Sequence, residues 1–522
     1  MTLAGTTTAD TTRGKVEGTV EDGVHRFLGI PYAAPVSGAG RFLPPRPAPG
    51  WTGVRPAAEP GPIAPQFTVP GRPALAEPGE DCLVLNVWTP ALTGDRPVLV
   101  WIHGGGFFTG TGYMPHTAGA ALASSEDVVV VSLNHRLGLL GFLHLAELGG
   151  AEWGFEANPS ILDLVAALEW VRDNIAGFGG DPDRVTIFGH SGGGGKVTSL
   201  LTSPAARGLF HRAGVLGGPP FGLKDAGRAT LEAERALHML DLDRADLSAL
   251  QDVPLERLLD VQGELGVGRG PTENSMRFAP VLGTPSVPAS PQEALSAGVG
   301  ADVPLLIGTA LDEARFMLAT HPGWLDPGVD VDDDTVVRLV EPGVDDTSAA
   351  AGVVAGYRAR AGRGTRNVDL LMDVLSDQFT VRSARLADAH HAGGGRVHSY
   401  LCDLNRDEPL GAFHGIEVPI FFRTVGVGPI GASGPALDRA AAVMGGALAA
   451  FARSGDPADG TGAGVDWPAY EPAARTQLRF GDDGFEATSR FVDERVGWWH
   501  GVSTSGQTDP WGRAFAAAAD AG

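Results

Sequence analysis

The chain alternates between short unbroken apolar runs and stretches with helical spacing. Val98–Ile102, Val128–Leu133, Val185–Phe188, Ala213–Leu216 and Val303–Gly308 are continuous runs rich in β-branched and large apolar residues. Runs of that length without alternation read as strands buried on both faces, the pattern of a parallel sheet covered by helices. Cys82–Trp88, Arg396–Leu401 and Gln477–Phe480 read as further strands. Val16–Val20 and Val24–Leu28, joined by Glu21-Asp22-Gly23, read as a hairpin. Asn158-Pro159 opens a helix, with Asn as N-cap and Pro at the first helical position. Ile161, Leu164, Val165, Leu168, Val171 and Ile175 form its apolar stripe, and Gly177 ends it. Asp181-Pro182 then turns the chain into the Val185 strand.

The remaining stretches fill in the plan. Residues 34–79 are rich in Pro and Gly, but Phe42, Trp51, Val54, Ile63 and Phe67 recur as anchors, so they read as a surface wrap. Asp225–Leu265 is helical in pattern, residues 326–366 carry acidic turns and short helices, and Ala436–Ser454 is an Ala-rich helix. The order strand, helix, strand, turn, helix predicts an α/β fold: a large, mostly parallel central sheet with helices on both faces and helical insertions. No repeat or low-complexity linker divides residues 1–522, so one large domain is expected, with 1–13 and 503–522 as flexible termini.

Composition narrows the function. Hydrophobic content of 43% suits a large core, and a net charge of −23 argues against a nucleic-acid partner. Lysine occurs only at 15, 196 and 224, and the Arg, Ala, Gly and Pro bias suggests a high-GC bacterial source. Two cysteines, Cys82 and Cys402, permit one disulfide but not a secreted framework. Met1–Arg13 lacks a signal-peptide pattern and no run reaches the length of a membrane span, so the expected compartment is the cytoplasm. Cysteine and histidine do not cluster at metal-ligand spacing, and no metal or other cofactor is expected. Gly192–Lys196 looks like a phosphate loop, but His190 and Val197 stand where such a loop needs Gly and Ser or Thr.

The candidate chemistry centres on Ser191. Gly189-His190-Ser191-Gly192-Gly193 follows a strand and opens a helix, the pattern of a nucleophile elbow. A serine nucleophile needs a base, an orienting acid and donors for an oxyanion. His103-Gly104-Gly105-Gly106 follows a strand directly and supplies N–H groups, with the N–H of Gly192 as a further donor. Asp312 and Glu313 both follow the Val303 strand, and position alone does not separate them. Among His390, His391, His398, His414 and His500, the loop setting of His414, with Gly415 beside it, favours His414 as base.

These residues resemble the type-B carboxylesterase/lipase family of α/β-hydrolases. The resemblance covers about Gly14–Tyr470. It is carried by Gly29-Ile-Pro-Tyr-Ala, Arg41-Phe42, Glu80-Asp81-Cys82-Leu83, Trp101-Ile-His-Gly-Gly-Gly-Phe107 and Asn134-His-Arg-Leu-Gly138. Asn174-Ile175, Phe178-Gly-Gly-Asp-Pro182, Val185-Thr-Ile-Phe-Gly-His-Ser191 and His414-Gly-Ile-Glu417 continue it. It implies the α/β-hydrolase fold, Ser191, Glu313 and His414 as catalytic residues, and Gly105, Gly106 and Gly192 as the oxyanion hole. It also implies a buried ion pair between Arg41 and Glu80.

Departures from the family pattern are specific. His190 stands where Glu is usual, Gly192 where Ala is usual, Ala314 where Gly is usual, and Gly217 where a second serine is common. No Trp lies between Trp51 and Trp88, which argues against a cationic choline ester. Phe107, Phe108, Phe221, Phe316 and Phe413 are candidates for a substrate pocket or for the core. The expected function is serine carboxylesterase action on a small-molecule ester through an acyl-enzyme. Amide or carbamate hydrolysis by the same triad, or binding without catalysis, are the alternatives. A monomer is the expected oligomeric state.

Overall fold

The computed structural model describes residues 5–504, apart from 68–75, 220–222, 268–276, 317–321, 342–343, 345, 347, 363, 428–432, 461–464, 490–492 and 494–496. One sheet of thirteen strands organises them. The strands are β1 (Gly5–Thr11), β2 (Gly14–Glu21), β3 (Val24–Pro31), β4 (Val54–Pro56), β5 (Val84–Thr89), β6 (Arg96–Ile102) and β7 (Val129–Leu133). They continue with β8 (Gly180–His190), β9 (Arg212–Leu216), β10 (Leu305–Ala310), β11 (Val397–Asp403), β12 (Gln477–Gly481) and β13 (Gly484–Thr488). The order is β1-β2-β3-β5-β7-β6-β8-β9-β10-β11-β12-β13, with β4 beside β2.

From β7 to β12 every neighbouring pair is parallel, and both flanks are antiparallel apart from β4, which pairs with β2 in parallel. Every residue of β5, β7 and β10 is buried, as expected for strands covered on both faces, and β5 buries Asn86 and Thr89 among its apolar residues. Two apolar clusters cover the sheet. One joins Val100, Val131 and Ile187 to Leu164, Leu168 and Val171 of helix α1 (Pro159–Asn174). The other joins Leu99, Val130 and Phe188 to Met444 and Phe451 of a later helix, Pro435–Ser454.

The structure alters several expectations. Residues 5–11, expected within a flexible terminus, form an edge strand paired with β2 along its whole length. Its Thr-rich sequence buries only Thr7 and Ala9, so it carries no apolar run to mark it. Asn158 does not cap α1 through its side chain. Its amide instead donates to Val281 O (3.0 Å) and Thr284 Oγ1 (2.9 Å), tying an insertion to the core. The α1 stripe breaks at Asn174, and Gly177 lies in a following 3₁₀ turn. Cys82 and Cys402 are both free and buried. Residues 505–522, most of the second expected flexible terminus, lie outside the described residues.

Candidate active site

Parallel strands deliver their C-terminal ends to one edge of the sheet, and loops there meet. Ser191 follows β8 and precedes α2 (Gly192–Thr202). Its backbone sits at φ 58°, ψ −126°, a conformation costing a non-glycine residue roughly 1–3 kcal/mol. Hydrogen bonds from Ser191 N to Leu216 O (3.0 Å) and from Gly195 N to Ser191 O (3.1 Å) hold it there. The flanking glycines are steric necessities. A Cβ on Gly189 would lie 2.6 Å from the Gly193 carbonyl carbon, and one on Gly193 would lie 2.1 Å from Ile102 O.

Glu313 lies just past β10 with its side chain fully buried. Its Oε1 accepts from Ala310 N (2.8 Å), and its Oε2 is in direct contact with His414 Nδ1. Asp312 does a different job: its Oδ2 accepts from Ala412 N (3.0 Å), and its own N–H donates to Ala412 O (2.9 Å). Asp312 therefore braces the loop that presents His414, while Glu313 reaches the ring. His390 instead ends the helix α3 (Asn367–Ala392), its Nε2 on Val303 O, and His398 lies in β11 near Asp456. Among the described residues, Ser191 Oγ makes no hydrogen bond to His414. The serine is brought to the same site by its neighbour, since the His190 and His414 rings are 4.3 Å apart.

The loop after β6 forms the other wall. Gly105 and Gly106 adopt φ of 100° and 62°, accessible to glycine at little cost. Gln66 anchors the loop, its Oε1 accepting from Thr109 Oγ1 (2.7 Å) and Gly110 N (2.8 Å). No protein group among the described residues accepts from the N–H of Gly105, Gly106 or Gly192 in the loop's hydrogen bonds. Three unused backbone donors beside a strained serine suit a developing oxyanion.

Two features explain the departures around the elbow. Gly217 has φ 48°, and a Cβ there would lie 3.0 Å from Glu313 Oε1, 3.1 Å from Glu417 Oε1 and 3.2 Å from His190 Cδ2. The imidazole at 190 and the absence of a side chain at 217 are thus one packing solution. Burial, then the neighbouring His414, hold the His190 pKa well below the usual histidine value. Burial, then the Glu313 carboxylate, push the Glu417 carboxyl well above the usual range. His190 is therefore uncharged at neutral pH beside the Glu313–His414 pair, and the Glu417 environment favours its uncharged form.

Glu417 was legible as part of the His414-Gly-Ile-Glu417 run but carried no role in the sequence. Phe379 on α3 was not singled out; its ring lies 5.2 Å from that of His414, and the Phe316 ring lies 5.5 Å from it. Phe107 and Phe413 are buried in the two clusters, Phe108 packs partly buried against the first, and Phe221 lies outside the described residues. Arg41 and Glu80 pair at 2.6 Å, largely buried. Among the described residues no group of His, Cys, Asp or Glu is arranged to hold a metal ion.

Comparison with known proteins agrees over nearly the whole chain. A model of the carboxylesterase family matches residues 5–499. Phenmedipham hydrolase of Pseudarthrobacter oxydans is 38% identical over 92% of this chain and 96% of its own length. Para-nitrobenzyl esterase of Bacillus subtilis (strain 168) is 34% identical over 89% of this chain and 93% of its own. Among solved structures, a carboxylesterase of Geobacillus stearothermophilus superposes with a TM-score of 0.82 at 34% identity, covering 94% of this chain and 100% of that one.

Proposed function

The chain belongs to the carboxylesterase family and has the α/β-hydrolase fold, and from that premise we propose that Ser191, Glu313 and His414 carry its ester hydrolysis. The observation that carries this reading is the contact of buried Glu313 with His414 Nδ1 beside the strained Ser191. With Nδ1–H donated to the carboxylate, the neutral ring keeps its Nε2 lone pair for the serine proton. Ser191 Oγ attacks the acyl carbon as Nε2 takes its proton. Charge on the former carbonyl oxygen is met by the N–H groups of Gly105, Gly106 and Gly192. The imidazolium, stabilised by Glu313, returns the proton to the leaving alcohol, and water repeats the cycle on the acyl-enzyme.

Carboxylic ester hydrolysis is the family's activity, and small esters are the substrate class. The 38% identical relative makes phenmedipham the first compound to test beyond simple p-nitrophenyl esters. We place the protein in the cytoplasm of a bacterium as a monomer; two buried free thiols suit a reducing compartment. Among the described residues no helix is long and apolar enough to cross a membrane. Ser191→Ala tests the nucleophile assignment: turnover of p-nitrophenyl acetate is expected to fall to background, and turnover above a tenth of wild type would refute it. A catalytically silent binding protein of this fold would show no turnover in the wild type either.

A further inference from the structure

Lys196 is one of three lysines in the chain, and its side chain is fully buried. Buried lysines normally pair with a carboxylate. None of the described carboxylates acts on this one, and burial alone lowers its pKa to about 7. Its partners are backbone oxygens. Lys196 lies on α2, five positions beyond Ser191, and Nζ donates to Gly106 O (3.1 Å) and His103 O (3.4 Å). It also lies 5.4 Å from the centre of the Phe107 ring.

Those two bonds complete a set. Gly104 O accepts from His103 Nδ1 (2.8 Å), and Gly105 O accepts from Thr109 N (3.1 Å). All four carbonyls from His103 to Gly106 are therefore tethered. In a trans peptide the C=O and the following N–H point in opposite directions. Tethering the Gly104 and Gly105 carbonyls turns the N–H groups of Gly105 and Gly106 the other way. Lys196 fixes the peptides at both ends of that run. A neutral amine has two N–H groups, one for each carbonyl, so the clamp survives loss of the proton.

Gly192 is the counterpart of this clamp. A Cβ on residue 192 would lie 1.9 Å from Gly106 O, the oxygen that Lys196 holds. The alanine usual in the family at this position cannot be accommodated without moving that carbonyl. The two residues thus form a matched pair.

We propose that Lys196 is a positioning residue for the oxyanion hole, clamping the His103 and Gly106 carbonyls so that Gly105 and Gly106 N–H groups face the reacting oxygen, and that Gly192 is the space this clamp requires. The proposal rests on the catalytic reading of Ser191. The test measures p-nitrophenyl acetate kinetics, fluorophosphonate labelling rate and thermal midpoint for wild type, Lys196→Met, Lys196→Gln, Gly192→Ala and the Lys196→Met/Gly192→Ala double variant. Removing a direct oxyanion donor typically costs about 10²–10³ in rate. Loss of a clamp behind the donors is expected to lower kcat about 10–100-fold, with KM within about twofold and a thermal midpoint no lower than wild type. Lys196→Gln, which keeps one amide donor group, is expected to be intermediate. Labelling is expected to slow in step with kcat, and Lys196→Met is expected to cost less than threefold more once Gly192→Ala is present, by the reasoning of a double-mutant cycle. Wild-type kcat and labelling in Lys196→Met would overturn the proposal, as would independent, multiplying losses in the double variant. A fall in thermal midpoint with matching loss in kcat and KM would reduce Lys196 to a packing role. Failure of the wild type to label would instead overturn the reading of Ser191 itself.

Discussion

At the scale of single residues, the charge state of the site separates this protein from the usual pattern of its family. His190 stands where the family usually has an acidic residue, its ring packs 4.3 Å from that of His414 at a tilt of 43°, and its burial keeps it neutral. Restoring a carboxylate with His190→Glu places a negative charge beside the base. An anion there favours the imidazolium, so His414 stays protonated to higher pH. The acid limb of the kcat/KM profile is therefore expected to move upward in pH, and a limb that stays in place or moves down contradicts the neutral-His190 account. Lys196 gives a stability prediction of definite sign. Its pKa is lowered from 10.5 to about 7 by burial, so the unfolded chain holds a proton that the folded protein releases between those values. Stability from this group rises with pH across that window and is lost as pH falls through about 7. Lys196→Met removes the dependence. Its thermal midpoint is expected to gain more on wild type at pH 6 than at pH 10, and an equal difference at both would count against a strained buried amine. Much of this was hidden in the sequence. Lys196 read only as a failed phosphate loop, because burial and carbonyl partners are tertiary facts. Asp312 and Glu313 were equivalent by position; the resemblance points to Glu313, and the structure gives Asp312 to the loop backbone and Glu313 to the imidazole.

At the scale of elements, the strand–elbow–helix unit is set by contacts that tolerate no Cβ. Gly193→Ala would drive a methyl to 2.1 Å from Ile102 O and force α2 away from β6. Overpacking of this kind costs typically about 1–3 kcal/mol. Urea denaturation is expected to show a loss in that range, with activity falling further because the elbow carries Ser191; an unchanged midpoint would mean the helix docks more loosely than described. Element type was most legible where physics is simplest. Strands β6, β7, β9 and β10, and the Val185–Phe188 part of β8, were readable because both faces are buried and the residues are mostly apolar. Helix α3 was missed because it buries polar residues among apolar ones: Ser376, Asp377, Gln378, Thr380 and Arg382 are buried along with Leu371, Leu375 and Phe379, so no apolar stripe stands out. The edge strand β1 failed for the opposite reason, since its burial is confined to Thr7 and Ala9.

At the scale of the whole molecule, long-range charge pairs pin loops to the sheet. Arg136, just past β7, pairs with Asp163 on α1 at 2.6 Å, with side chains 2% and 0% exposed. The guanidinium also donates to Leu43 O (2.8 Å), which fixes the N-terminal wrap. Arg136→Met would leave Asp163 buried without its partner, a change that costs about 3–5 kcal/mol in comparable sites. A denaturation midpoint lowered by that amount, with kcat per folded molecule unchanged, is expected; a loss under about 1 kcal/mol would show that the pair is not isolated from solvent. The Arg41–Glu80 pair, implied by resemblance alone, binds the same wrap from its other end. The fold class was readable because the order of elements constrains it strongly. The depth of the Arg136–Asp163 pair was not, because it depends on which loops cross.

The central claim is that Ser191 is the nucleophile of an esterase site completed by Glu313 and His414. The most direct measurement is peptide mapping by mass spectrometry after reaction with a fluorophosphonate. One adduct per chain on the peptide containing Ser191 is expected, absent in Ser191→Ala and formed about 10³–10⁴-fold more slowly in Glu313→Gln, the scale at which loss of the orienting carboxylate slows such triads. An adduct on another residue, or labelling that persists in Ser191→Ala, would contradict the account.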